Sequence, residues 1–170
     1  LLKYVGWGFG STYEEPHAVD AGSMFISFTD PNTASFTYQL GTQFSTLPLG
    51  KFMQGSIDSR RIDGWWSFKD YNGMGLFVEI KNQQLYAAWF NYRSDKTPRW
   101  WTTALVPFPA GATTVEAPLY EFMDQAAGTN EAVTLRSSEV ATLKLAIVDE
   151  NTLTLDWNGH DYVLTHTPLG

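Results

Sequence analysis

Cysteine is absent from all 170 residues, which removes disulfides, thiolate nucleophiles and cysteine-ligated metal together. Basic residues are scarce: 11 Lys and Arg stand against 18 Asp and Glu, for a formal net charge of −7. A balance of that sign repels phosphate backbones, so nucleic acid is not an expected partner, and no basic block is present to hold an anionic membrane. No apolar run approaches the roughly 20 residues of a spanning helix, so no membrane span is expected. The N-terminus shows no basic region leading into an apolar one, so any signal peptide is absent from this chain. Few charges and abundant Thr, Ser, Asn and Gly predict a bacterial protein that is secreted, periplasmic or at the cell surface. Histidine is also sparse: His17, His160 and His166 lack the short spacing of a structural metal site, and neither metal nor cofactor is expected.

Helical periodicity is missing too, and period two takes its place. Aromatic residues make up 15% of the chain, enough to fill an interior and leave rings over for a surface. The strongest pattern is an internal repeat. Met24, Ile26, Phe28, Asp30, Asn32, Phe36 and Tyr38 match Leu143, Leu145, Ile147, Asp149, Asn151, Leu155 and Trp157 at one constant offset. The aromatic stretch 64–106 that precedes the second copy has no counterpart before the first. Residues 1–54 therefore read as the C-terminal half of a first β unit, 55–63 as a linker, and 64–169 as a complete unit.

Alternation predicts eight strands in the complete unit, at 64–68, 76–81, 85–92, 99–106, 115–122, 140–148, 152–158 and 161–166. Short turns such as Asp70-Tyr71-Asn72-Gly73, Asn82-Gln83-Gln84 and Asn158-Gly159 separate them. The expected fold is all-β, an antiparallel up-and-down meander closed into an eight-stranded barrel because closure removes exposed edges, with a two-sheet sandwich as its rival. One helical turn is allowed at 123–130. The first unit supplies four strands, at 2–7, 23–29, 34–40 and 46–52. Four strands cannot close the same barrel, so their edges seek neighbours. Another polypeptide segment, a cleaved but retained half, exchange with a second copy, or packing on the complete unit would each serve.

Gly64-Trp65-Trp66, the run from Gly73-Met74-Gly75 to Glu79, Trp89-Phe90-Asn91-Tyr92 and Pro98-Arg99-Trp100 together resemble a tandem aromatic-rich repeat found in secreted or envelope proteins of bacteria. That resemblance implies a β module and no particular activity. Gly64-x-Trp66 opening a strand is also similar to the calycins, the lipocalin and avidin group, which implies an eight-stranded barrel.

Candidate contact residues are Trp65, Trp66, Glu79, Trp89, Tyr92, Arg99, Trp100 and Trp101. In Trp65-Trp66 and Trp100-Trp101 strand geometry points one ring inward and its neighbour outward. Outward pairs suit sugar rings or a protein interface. Glu79 among rings is either an acid of raised pKa or an ordinary partner of Lys81 or Arg99. Gly73-Met74-Gly75 precedes a strand and so reads as a turn or bulge, not a dinucleotide loop. Asp30, Asn32, Asp149 and Asn151 read as hairpin residues before they read as calcium ligands. No nucleophile elbow accompanies Asp156, His160 and Asp161, so no catalytic residue is assigned. The expected function is a non-enzymatic binding or assembly subunit whose incomplete unit is finished by another segment or by a homo-oligomer. The alternatives are a small-molecule carrier with an apolar barrel pocket, and a protein that binds polysaccharide or acts on it with Glu79 and Asp156 as acid and base.

Overall fold

The computed structural model describes residues 1–5, 15, 17–53, 55–56, 62–123 and 136–167. The strands in chain order are β1 (Leu2–Val5), β2 (His17–Asp20), β3 (Gly22–Asp30), β4 (Thr33–Leu40), β5 (Gln43–Gly50), β6 (Gly64–Phe68), β7 (Gly75–Lys81), β8 (Gln84–Tyr92), β9 (Pro98–Thr103), β10 (Val106–Pro107), β11 (Thr114–Met123), β12 (Arg136–Asp149), β13 (Thr152–Trp157) and β14 (His160–Thr167). No helix occurs among the described residues. The helical turn allowed at 123–130 falls mostly outside them.

Strands β6, β7, β8, β9, β11, β12, β13 and β14 follow one another around a closed antiparallel ring, sealed where β14 pairs with β6 from Leu164↔Phe68 to Thr167↔Trp65. This is the expected up-and-down barrel. The expected strand 99–106 is in fact two: β9 ends at Thr103, and β10 pairs with the start of β8 as an extra strand. Turn chemistry fixes the registers. Asn82 and Gln83, and Asn158 and Gly159, adopt positive φ, as two-residue hairpins of the favoured twist require.

Alternation sends Trp66, Phe68, Leu76, Val78, Ile80, Leu85, Trp89, Leu143, Leu153, Leu155 and Leu164 inward to one buried core. Near one end of it, Trp89 meets Trp101 and Trp157 edge-on at 5.2 and 4.9 Å, while Trp101 and Trp157 stack at 5.2 Å. Trp66 stacks on His166 at 4.6 Å and donates its indole N–H to Ile62 O at 2.9 Å. The expected linker is not free at its described ends. Ile62 is buried and the Ser56 hydroxyl donates to Asn82 Oδ1 at 3.2 Å, while just before the linker Met53 is buried and Phe52 packs on Tyr86 at 4.9 Å.

The described residues of 1–50 form two further sheets, the antiparallel pair β1–β2 and the meander β3–β4–β5, and among the described residues neither is paired with a barrel strand. That arrangement departs from the four strands expected of the first unit, and from packing of those strands into the barrel sheet.

Because Trp89 is wholly enclosed, Trp89→Ala should cost about 3–5 kcal/mol in urea unfolding. Trp100→Ala, on the outer face, should cost less than about 0.5 kcal/mol in the same assay.

Candidate functional site

The two copies of the repeat share a ladder, not only a pattern. Ile26 faces Phe36 as Leu145 faces Leu155, and Phe28 faces Ala34 as Ile147 faces Leu153. A bulge then brings Asp30 opposite Thr33, and Asp149 opposite Thr152. Even the turns match: Asn32 N donates to Asp30 Oδ1 at 2.7 Å, and Asn151 N to Asp149 Oδ1 at 2.8 Å. Across the next strand, Leu49 faces Ala34 as Leu164 faces Leu153. The hairpin β1–β2 repeats the outer part of β11–β12, with Leu2↔Asp20 in the place of Tyr120↔Glu139. The ladders differ only in length at one end: β4–β5 is two pairs longer than β13–β14, and β3–β4 continues three pairs further, to Gly22↔Leu40, than β12–β13, which begins at Lys144↔Asp156.

The environments of the two copies differ completely. In the barrel, β12 is flanked by β11 and β14 by β6, and the inner face of β12–β14 is sealed. Met24, Ile26, Phe28, Leu47 and Leu49 present the same face of β3–β5 to solvent: Met24 is 55% exposed where Leu143 is 0%, and Leu49 is 42% exposed where Leu164 is 0%. Phe28 reaches 76%. On this face Phe36 and Ala34 are half-buried, and Tyr38 is buried. A groove of about 340 Å³ runs between Ile26, Phe28, Ala34 and Leu49. The outer edges of β3 and β5 have no strand beside them among the described residues. Pro48 removes one N–H from the β5 edge. Its counterpart Val163 only accepts there, from Lys69 N at 3.0 Å, so a strand arriving in barrel register does not require that donor.

The residues expected at a contact surface are divided by the fold. Trp66, Trp89, Tyr92 and Trp101 are core, whereas Trp65 is half-buried and Trp100 is 54% exposed. Glu79 lies on the outer face with Phe77, its carboxylate 3.8 Å from Lys81 Nζ, which also holds Asp63 at 3.0 Å. Arg99 lies 4.0 Å over the Trp101 ring and donates to Asn91 Oδ1 at 2.8 Å. Burial pulls its pKa below the ordinary value, a shift that the Glu121 carboxylate opposes. Glu79 and Asp156 stand on β7 and β13, separated around the ring by β6 and β14, and three interstrand steps of about 4.8 Å do not place them across one scissile bond. Inside the barrel, among the described residues, the cavity between Val78, Phe108 and Leu153 has a volume of only about 10 Å³, below the size of a small-molecule ligand. Neither reading of the chain as carrier or hydrolase gains a site from these positions.

Sequence reasoning sought a contact surface mainly among tryptophans and did not single out the exposed apolar face of Met24, Ile26, Phe28 and Leu49. The signal was present in the repeat itself, since residues matching a buried core belong on a face that needs covering. No protein-family model, characterised protein or solved structure matches this chain.

The turn that borders the groove carries its own pH dependence. The Thr33 hydroxyl, 2.6 Å away, and then the Asn32 N–H hold the Asp30 carboxyl below its usual range. A depressed carboxyl lends stability that is present above its unfolded pKa and is lost as pH falls through the lower folded value. NMR titration should therefore place the Asp30 midpoint below 3.8, and Thr33→Val should raise it.

Proposed function

We propose that this protein is a non-enzymatic binding or assembly subunit outside the cytoplasm. Its sheet β3–β5 receives antiparallel strands from polypeptide outside residues 1–170, and together they complete a second barrel. The observation that carries this reading is the shared ladder, in which a face sealed in one unit stands open in the other at the same register. The barrel supplies the pattern for the proposed occupant. It would add one strand like β6, with large rings where Trp66 and Phe68 sit, along the β5 edge, and one like the inner half of β11, with small and branched residues where Val115 and Ala117 sit, along the β3 edge. Strand addition supplies affinity through backbone hydrogen bonds, and the alternating side chains supply register. Each large apolar side chain covered contributes about 1.5–3 kcal/mol.

The test uses the whole chain purified without denaturant. Native mass spectrometry should find a companion polypeptide, or else the bare chain should bind a hydrophobic dye and exchange the edge amides of β3 and β5 fast. The double variant Phe28→Asp, Leu49→Asp should lose companion and dye together while the barrel's unfolding midpoint holds. A single chain that binds no dye and protects those edge amides would overturn the reading.

A further inference from the structure

A second surface lies on the complete barrel, where the β6–β7 turn rises beside Trp65. Gly75 has no side chain because Trp65 occupies its place: a Cβ there would lie 2.1 Å from Trp65 Cζ2. Laid flat over that glycine, Trp65 donates its indole N–H to Ser67 Oγ at 3.2 Å and packs on Phe90 at 5.4 Å. Phe90 is the cross-strand partner of both Gly75 and Trp100, so Trp65, Phe90 and Trp100 form an aromatic row over the outer face. At the end of that row a hollow of about 230 Å³ opens between Trp65, Ser67, Tyr71, Asn72 and Tyr92. Beyond Tyr71 a second hollow, of about 290 Å³, is bordered by Asp70, His160, Asp161 and Tyr162. Phe68 and Tyr71 line both hollows, so the two lie side by side and share that wall.

The lining selects a ligand class. The first hollow has flat rings, a hydroxyl and a carboxamide, and no charged side chain. Such a wall fits a molecule with an apolar face and a rim of hydroxyls, and its volume suits one sugar ring. The second hollow adds two carboxylates, which accept hydrogen bonds from hydroxyls and repel anions, as does the net charge of −7. From these features the geometry points to a neutral glycan chain bound across the two hollows, with successive pyranose rings on either side of Tyr71. This site stands on the barrel alone and is independent of the open sheet.

Isothermal titration of the whole chain with cellohexaose, xylohexaose and mannohexaose, and with hexagalacturonate as the anionic control, tests the assignment. At least one neutral hexasaccharide should bind with Kd of about 1 mM or tighter, and hexagalacturonate at least tenfold more weakly. Asn72→Ala, on an exposed turn, and Tyr71→Ala should each weaken that binding at least tenfold, with the unfolding midpoint of Asn72→Ala unchanged. Phe28→Asp, far along the chain in β3, should leave it intact. The assignment is overturned if no neutral hexasaccharide binds at millimolar concentration, if the anionic one binds equally well, or if Asn72→Ala and Tyr71→Ala both bind as the parent does.

Discussion

Every strand in this protein answers to one constraint, that backbone N–H and C=O groups along a sheet edge must find partners. In the complete unit the constraint is met by closure. The ladder from Leu164↔Phe68 to Thr167↔Trp65 joins segments about a hundred positions apart in sequence, and a Ser67–Thr167 hydroxyl contact at 3.1 Å ties the same seam. Register at that seam decides the core. A slip of one residue would turn Trp65 and Ser67 inward and expel Trp66 and Phe68, exchanging a buried stack on His166 for a hydroxyl in an apolar interior.

Much of this was legible from alternation alone. The strand β6 was read to the residue, and the turns at Asn82-Gln83 and Asn158-Gly159 announced themselves because few residue types adopt positive φ at low cost. What stayed hidden was tertiary. Period two says that Trp100 and Trp101 point opposite ways, but not that Trp101 would stack on Trp157 from a strand more than fifty positions later. Nor does a glycine in Gly73-Met74-Gly75 disclose that a tryptophan ring from the preceding strand fills its missing side chain. The break between β9 and β10 escaped for a similar reason: residues 99–106 carry no turn residue, yet Ala104 and Leu105 leave the ladder and Val106 pairs with Leu85.

The first unit separates two properties that usually travel together. Its strands pair in the barrel's register with the barrel's bulge and Asx turn, so local sequence and hairpin chemistry suffice to set the ladder without a closed ring. Burial is another matter. Apolar residues on one face specify that the face is to be covered and leave open by what, and here the answer given by β6 and β11 to β14 and β12 has no equivalent beside β5 and β3 among the described residues. An alternating pattern therefore predicts strand and face well, and neighbour poorly.

Closure also divides the work that each unit can do. The closed ring of β6–β9 and β11–β14 has no open edge, so the recognition proposed for it runs through side chains, the rings, hydroxyls and carboxylates around the β6–β7 turn. Backbone-directed recognition is the mode proposed for the open sheet, whose edge donors and acceptors have the spacing of a strand. The two modes differ in tolerance. Side-chain recognition fails at single substitutions in the hollows, whereas strand addition tolerates exchange of one apolar residue for another and fails only when a charge or a lost register interrupts the ladder. That difference follows from where the hydrogen bonds originate, and it would hold for any pair of units in which one copy of a meander is closed and the other is not.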